Sequence, residues 1–169
     1  DFYIEDKQSG ISTASLDFID NSRFSKGSKY LPLNSADWNA PIKVKTTTID
    51  TLIEEYGIPD FIKVDVEGYE YNVIKGLTSK VGMVGFEWHE EDFDSVIKIV
   101  DHFVSLGYLE FGVVGYFEEE VPQEITFSCK GDPYMEFPEK FVDSETLINS
   151  LTKIVDSSRR VYYGMFYAK

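Results

Sequence analysis

The sequence predicts an α/β fold in which a mostly parallel sheet is covered by helices. After residue 45, short apolar segments of strand-like composition alternate with segments whose apolar residues recur at helical spacing. This alternation is typical of βαβ units, in which a helix joins two parallel strands. The chain has 169 residues, 43% of them hydrophobic, so it can bury one core of ordinary domain size. We therefore expect residues 1–169 to form a single domain with a loop-rich part, 1–45, and an alternating part, 46–169.

The alternating part divides into strands and helices of ordinary length. In chain order the expected elements are a strand at 42–47, a helix at 49–56, a strand at 61–66, a helix at 69–77, a strand at 81–89, a helix at 93–104, a strand at 108–117, a helix at 147–155 and a strand at 161–168. In the first helix the apolar residues fall at i, i+3, i+4 and i+7 from Ile49. Thr48 and Asp50 are candidate caps, and Gly57 followed by Pro59 ends the helix. Residues 5–45 and the acidic, proline-bearing stretch 118–138 are expected to be loops.

Charge and cysteine content exclude several classes of protein. Acidic residues outnumber basic ones by 30 to 16, and the net charge is -14, so a nucleic-acid backbone would be repelled. No apolar run approaches the ~20 residues that cross a bilayer, and no signal peptide pattern is visible, so we expect no membrane partner. The one cysteine, Cys129, excludes an internal disulfide framework and fits a reducing cytoplasm.

Polar side chains follow two successive predicted strands. Asp65 and Glu67 lie at the end of the first, in the stretch FIKVDVEGYE, and Glu87 and His89 lie at the end of the next. Because parallel strands carry their ligands beyond their carboxyl ends, we expect these four side chains to converge on one crevice. Carboxylates held this close need a positive charge nearby to stay ionised, and Lys63, a metal ion or a cationic ligand could supply it.

Simpler interpretations compete with this one. Acidic residues in the first turn of a helix are favoured by the helix dipole, and Glu67 or Glu70 could be present for that reason alone. His89 could be a packed histidine bonded to a backbone carbonyl, and Trp88 is expected to be core. For a metal ion, Asp65, Glu87 and His89 are the candidate ligands, and oxygen-rich ligation with one imidazole suits magnesium or manganese.

The run TTTIDTLIEEYGIPDFIKVDVEGYEYNVIKGL, residues 46–77, resembles the signature of the FkbM-type methyltransferases, and the resemblance extends to about His89. It implies a Rossmann-like fold, with a seven-stranded sheet whose last strand runs antiparallel to the rest. The glycine-rich donor loop of the family, and the acidic residue that holds the donor ribose, are not found in this sequence. The resemblance therefore implies that the first three strands precede this sequence. We expect residues 1–169 to be the carboxyl-terminal part of the domain and to bind the methyl donor weakly or not at all alone.

The resemblance also implies roles for the clustered residues. Asp65 and Glu67 would face the sulfonium of S-adenosylmethionine and the acceptor hydroxyl, and Asp65 would be the base or a metal ligand. Glu87 and His89 are the second candidates for these roles, and Lys63 would orient Asp65. The leading hypothesis is an S-adenosylmethionine-dependent O-methyltransferase that acts on a hydroxyl of a sugar, a polyketide or another small metabolite. A non-catalytic interaction domain on the same scaffold and a metal-dependent hydrolase are the alternatives.

Overall fold

The computed structural model of the protein describes residues 1–7, 9–26, 28, 36–117, 137–156 and 161–169. Cys129 and most of the acidic stretch 118–138 lie outside these residues. The described part has a mixed α/β fold, as the sequence predicts, preceded by an irregular amino-terminal segment.

A four-stranded sheet forms the centre of the described part. Its strands are β1 (Phe61–Val64), β2 (Met83–Trp88), β3 (Phe111–Phe117) and β4 (Val161–Ala168), in the spatial order β1-β2-β4-β3. The β1–β2 pairing is parallel, whereas β2–β4 and β3–β4 are antiparallel. The prediction of a mostly parallel sheet is therefore wrong for the pairings described. The physical reason is the position of β4, which inserts between two strands that run the same way and makes both of its own pairings antiparallel.

The helices after residue 45 lie where the apolar stripes predict them, with some differences in length. They are α1 (Leu16–Asn21), α2 (Ile49–Tyr56), α3 (Glu70–Ile74), α4 (Phe93–Ser105) and α5 (Ser144–Asp156), with short 3-10 turns at Ser9–Ile11 and Glu90–Asp92. Helix α1 lies inside the part predicted to be loop. None of the helices in the described residues is long and apolar enough to cross a bilayer.

Local interactions at its two ends determine where α2 begins and ends. The Thr48 side chain accepts a hydrogen bond from the Thr51 N–H and caps the helix, and Gly57, with φ 94°, ends it. The Asp50 carboxylate accepts bonds from the backbone N–H and the hydroxyl of Thr78, which ties α2 to the segment after α3. The strand predicted at 42–47 does not form; only Ile42 makes a bridge, to Phe2, and the segment is exposed.

The main hydrophobic core lies between one face of the sheet and the helices. Its fully buried members include Ile74, Leu77, Phe86, Phe103, Phe111, Leu147, Leu151 and Phe166. Phe86 of β2 stacks on Phe166 of β4 with ring centroids 5.0 Å apart. Trp88 is buried with this core, as predicted. The opposite face holds a smaller cluster of Val114, Met165 and Tyr167. A third cluster, Ile11, Phe18 and Ala36, belongs to the amino-terminal segment.

The β3–β4 pairing depends on a close approach at Gly164. A Cβ atom at this position would lie 2.1 Å from the backbone oxygen of Val114 and 2.9 Å from Nε1 of Trp88. We therefore expect Gly164→Ala to lower the free energy of unfolding by about 1–3 kcal/mol, the usual cost of overpacking. Urea unfolding measures this change. Gly10→Ala is the matched control, since its Cβ would meet no atom within 4 Å, and a loss as large in the control would contradict the explanation.

Candidate active site

The ends of β1 and β2 bring the predicted site residues to one edge of the sheet. The strands are paired in parallel with Val64 opposite Phe86, so the chain leaves both at the same edge. Asp65 and Glu67 follow β1, Glu87 is the penultimate residue of β2, and His89 follows β2 directly. The convergence expected from the parallel-sheet rule is present in the structure.

Direct contacts link the five predicted residues into one cluster. Lys63 Nζ lies 3.0 Å from Asp65 Oδ2, and His89 Nε2 lies 3.3 Å from Glu87 Oε1. Glu87 raises the pKa of Asp65, so the two carboxyls also interact. Ligand atoms of Glu67, Glu87 and His89 all lie within 4.8 Å of one another. The geometry establishes proximity, and the chemical role of each residue stays a prediction.

Glu67 has an unusual backbone conformation for a residue with a side chain. Its φ is 52°, and the next residue, Gly68, has φ 83°. Two successive left-handed residues reverse the chain tightly, and this turn holds the Glu67 side chain at the sheet edge. Glycine is required at position 68 for two reasons. A Cβ there would lie 2.8 Å from the Phe18 ring, and the left-handed φ favours glycine.

Glu70 closes the loop between β1 and α3. Its Oε1 accepts a hydrogen bond of 3.0 Å from the backbone N–H of Val66, and the side chain is buried. Burial raises the pKa of Glu70 to about 7, although the bond from Val66 opposes the rise. Glu70 thus fixes the shape of the loop, in addition to any favourable interaction with the dipole of α3.

Burial and like charge disfavour ionisation of two other carboxyls. Burial, followed by the charges of Glu87 and Asp65, raises the pKa of Glu67 to about 8, against an opposing effect of His89. Burial and Glu87 also raise the pKa of Asp65, while Lys63 opposes this rise. Near neutral pH the cluster therefore favours a protonated Glu67 beside the Lys63–Asp65 pair.

The pKa of His89 is also raised, but for a histidine the rise favours the charged form. Its burial lowers the pKa, but the hydrogen bond and charge of Glu87 and the charge of Glu91 outweigh burial and raise the pKa to about 9. At neutral pH His89 is therefore a cation that neutralises Glu87, and it is poorly suited to accept a proton. His102, the other histidine, is half-buried in α4 with Nε2 2.8 Å from the Leu77 carbonyl oxygen, and it lies apart from the site.

Two carboxylates and one imidazole could hold a divalent cation. Within the described ranges, the group whose ligand atoms are close enough contains Glu67, Glu87 and His89. Asp65, one of the three ligands expected from the sequence, is not in this group, and its carboxylate is paired with Lys63 instead. The donor chemistry fits magnesium or manganese as well as zinc.

The amino-terminal segment forms one wall of the site. Arg23, just after α1, makes a bidentate pair with Glu91 at 2.6 and 2.7 Å, and both side chains are largely buried. The Phe18 ring lies 5.9 Å from the His89 ring, centroid to centroid. Together with Ile11, Phe24 and Tyr163, Arg23 lines a cleft of about 590 Å³, its open mouth included, into which Glu67, Glu87 and His89 also face. Arg23, Glu91 and Tyr163 were not identified from the sequence, which carries no signal for contacts between such distant segments.

The perturbed groups make stability depend on pH in a defined direction. An unfolded glutamate releases its proton near pH 4.5, whereas folded Glu67 keeps it to about pH 8, so the folded state binds more protons between these values. His89 contributes stability that is complete below its ordinary value of 6.5 and is lost as pH rises through about 9. Both effects lower the free energy of unfolding as pH rises from about 5 to about 9. Urea unfolding across this range should show the fall, and Glu67→Gln should reduce its slope.

Glu54→Gln, at an exposed position of α2, is the control for this measurement and should leave the slope unchanged. Stability that rises between neutral and alkaline pH would contradict the charge states assigned to Glu67 and His89.

Comparison with protein-family models identifies the family of the chain. No curated protein and no solved structure matches the chain. A family model, described as the methyltransferase FkbM domain, matches residues 1–109. The match includes the whole Lys63–Glu70 motif and β2 with His89 after it, and it covers well over half of the sequence. The chain therefore belongs to the FkbM-domain methyltransferase family.

Proposed function

We propose that the protein transfers a methyl group from S-adenosylmethionine to a hydroxyl of a small metabolite such as a sugar or a polyketide. The observation that carries this proposal is the cluster of Asp65, Glu67, Glu87 and His89 at the carboxyl ends of two adjacent parallel strands, in a chain of the FkbM family. The cleft beside the cluster is lined by apolar side chains together with a few convergent polar groups, as small-molecule sites are. From this lining we infer a small-molecule acceptor.

The strand arrangement supports a methyltransferase-type sheet. Strands β1 and β2 are parallel, β3 runs in the same direction, and the last strand, β4, is antiparallel to both of its neighbours. The family resemblance implies this reversal of the last strand. We infer that the described strands belong to a Rossmann-like sheet and that the site lies at the carboxyl ends of β1 and β2.

The anionic character of the cluster fits the cationic end of the methyl donor. Asp65 and Glu67 are the residues that would hold the sulfonium, and the raised pKa of each carboxyl is consistent with a site that gains from an added positive charge. When bound, the donor supplies an electrophilic methyl group on positively charged sulfur. Residues for the adenine and ribose are not identified in the described part of the chain.

Asp65 is the best-placed base for the acceptor. Its carboxyl is partly exposed at the edge of the site, whereas Glu87 is buried and paired with His89. In the proposed reaction a bond forms between the acceptor oxygen and the methyl carbon, the sulfur–carbon bond breaks, and its electron pair returns to sulfur. The hydroxyl proton passes to Asp65, and Lys63 keeps Asp65 ionised beforehand. Alignment of the two reactants supplies the rest of the acceleration.

The role of Asp65 can be tested in the complete protein. Asp65→Asn should retain the fold and lower turnover by ~100-fold or more, the scale of a lost general base. Release of S-adenosylhomocysteine from a panel of hydroxyl acceptors measures turnover, and circular dichroism checks folding. Asp60→Asn is the matched control, because Asp60 is exposed and precedes the same strand at its other end. A folded Asp65→Asn protein with unchanged turnover would assign Asp65 a structural role.

Binding of the methyl donor and dependence on a metal ion distinguish the proposed methyltransferase from the two alternative functions. Glu67, Glu87 and His89 could instead ligate a metal ion and support hydrolysis, and a domain that had lost the donor site could act as an interaction module. We expect the complete protein to bind S-adenosylmethionine with a Kd of micromolar order, about -8 kcal/mol, and to remain active after exhaustive chelation, because Lys63 and the sulfonium supply the positive charge. Calorimetry and activity after chelation measure the two. Absence of donor binding would reject the methyltransferase, and activity restored only by added Mg²⁺ or Mn²⁺ would make the metal essential.

A further inference from the structure

The segment between Ile11 and Phe24 contacts the residues that follow both site strands. Beyond β1 it meets the turn of Glu67 and Gly68, and beyond β2 it meets the residues after Trp88. Most of these contacts are of the kind that packs one element on another, such as the Phe18 ring against Gly68. One contact differs, because it is a directed hydrogen bond to the backbone of a site residue.

That bond is made by Thr13. Its hydroxyl donates to the carbonyl oxygen of Glu67 at 2.6 Å and accepts from the backbone N–H of Ser15 at 2.9 Å. Thr13 is fully buried, and its own backbone pairs with Tyr3 in both directions, at 2.8 and 3.0 Å. The backbone pairing with Tyr3 fixes Thr13 in place, and the Ser15 N–H orients its hydroxyl. The hydroxyl therefore donates to one atom of the turn formed by Glu67 and Gly68, the Glu67 carbonyl oxygen.

The carbonyl that receives this bond belongs to the peptide between Glu67 and Gly68. Both residues have left-handed φ, at 52° and 83°, and the first value is costly for a residue with a side chain. Rotation about the N–Cα bond of Glu67 toward negative φ would relieve this strain, and the glycine that follows adapts to such a change more readily than other residues. Relative to Val66, this rotation moves the carbonyl and the side chain of Glu67 together, and it would carry the side chain away from Glu87 and His89. A bond to this carbonyl therefore opposes the motion that would dissolve the cluster.

We propose that Thr13 is a positioning residue, which holds the Glu67 carboxyl at the site through the bond from its hydroxyl to the Glu67 carbonyl. The inference rests on the proposed function and extends it to a residue that lies 54 positions from Glu67 in the sequence. Thr13 touches neither reactant, and its effect reaches the chemistry through the orientation of Glu67.

Neighbouring contacts cannot replace this bond. The Arg23–Glu91 pair anchors the segment after β2, and Phe18 packs against Gly68 without a polar contact to the Glu67 carbonyl. The Glu70 side chain bonds the Val66 N–H, on the other side of Glu67. These contacts fix the two ends of the turn, and Thr13 fixes the peptide at its centre.

The kinetic test compares variants that differ only in the hydroxyl. In the complete protein, Thr13→Val should lower kcat by about 10- to 100-fold with little change in the KM of the acceptor, because misplacement of a site group affects the reaction more than binding. Thr13→Ser should keep most of the turnover. Should Thr13→Val not fold, the pair Thr13→Ser and Thr13→Ala isolates the hydroxyl in the same way. Combined with Glu67→Gln, Thr13→Val should cause no further loss.

Thr152→Val is the matched control, since the Thr152 hydroxyl also donates to a backbone carbonyl, that of Ile148 in α5. It should leave kcat unchanged. Equal losses in the two Val variants would show a general effect of destabilisation and overturn the proposal, as would a folded Thr13→Val protein with wild-type kcat.

A measurement without catalysis separates this inference from the proposed function. NMR relaxation dispersion of the Gly68 amide should detect exchange on the microsecond to millisecond timescale in Thr13→Val but not in Thr13→Ser or Thr152→Val. If the wild-type protein methylates none of the acceptors and this pattern still appears, the proposed function fails and the positioning of Glu67 by Thr13 stands. A Gly68 amide that shows no exchange in Thr13→Val overturns the inference whether or not the protein is active.

Discussion

The parallel pairing of β1 and β2 is the constraint on which the site depends. Parallel strands deliver the residues that follow them to the same edge of a sheet, and here those residues are a carboxylate-rich turn and a Glu–His pair. The hydrophobic core fixes this pairing, since Val64 and Phe86 face each other across the two strands and both are buried in it. Packing of apolar side chains on one face thus determines which charged groups meet at the edge.

The acidic side chains that meet at this edge repel one another, and nearby groups reduce the repulsion. Each acidic residue of the cluster has a specific partner or a shifted protonation equilibrium: Lys63 pairs with Asp65, His89 pairs with Glu87, and Glu67 holds its proton. Arg23 does the same for Glu91 beside the cluster. The net charge of -14 is therefore a poor guide to the site, where the folded protein keeps opposite charges paired and the remaining carboxyl neutral near pH 7.

Elements set by local sequence patterns could be predicted from the sequence, whereas contacts between distant segments could not. The stripe from Phe93 to Val104 predicts α4 because helical periodicity is a local property, and the positions of Asp65 and His89 follow from the ends of apolar strands. The strand predicted at 42–47 does not form, because alternation alone provides no neighbouring strand. The spatial order of β4 and the contact of Thr13 with Glu67 could not be predicted, since both depend on pairings between distant segments.

The site depends on contacts between segments that lie far apart in the sequence. The Thr13–Glu67 and Arg23–Glu91 contacts span 54 and 68 residues, whereas the core elements β1, α3, β2 and α4 follow one another directly. Closing a long loop costs conformational entropy before any contact repays it, so this cost falls on the junction between the amino-terminal segment and the strand ends. The elements β1, α3, β2 and α4 need no such closure to pack on one another, whereas β4 pairs with β2 across a similarly long stretch of chain. The order of assembly implied by these lengths is therefore that β1, α3, β2 and α4 pack first and that the site is completed later, when residues 11–24 dock onto the ends of β1 and β2.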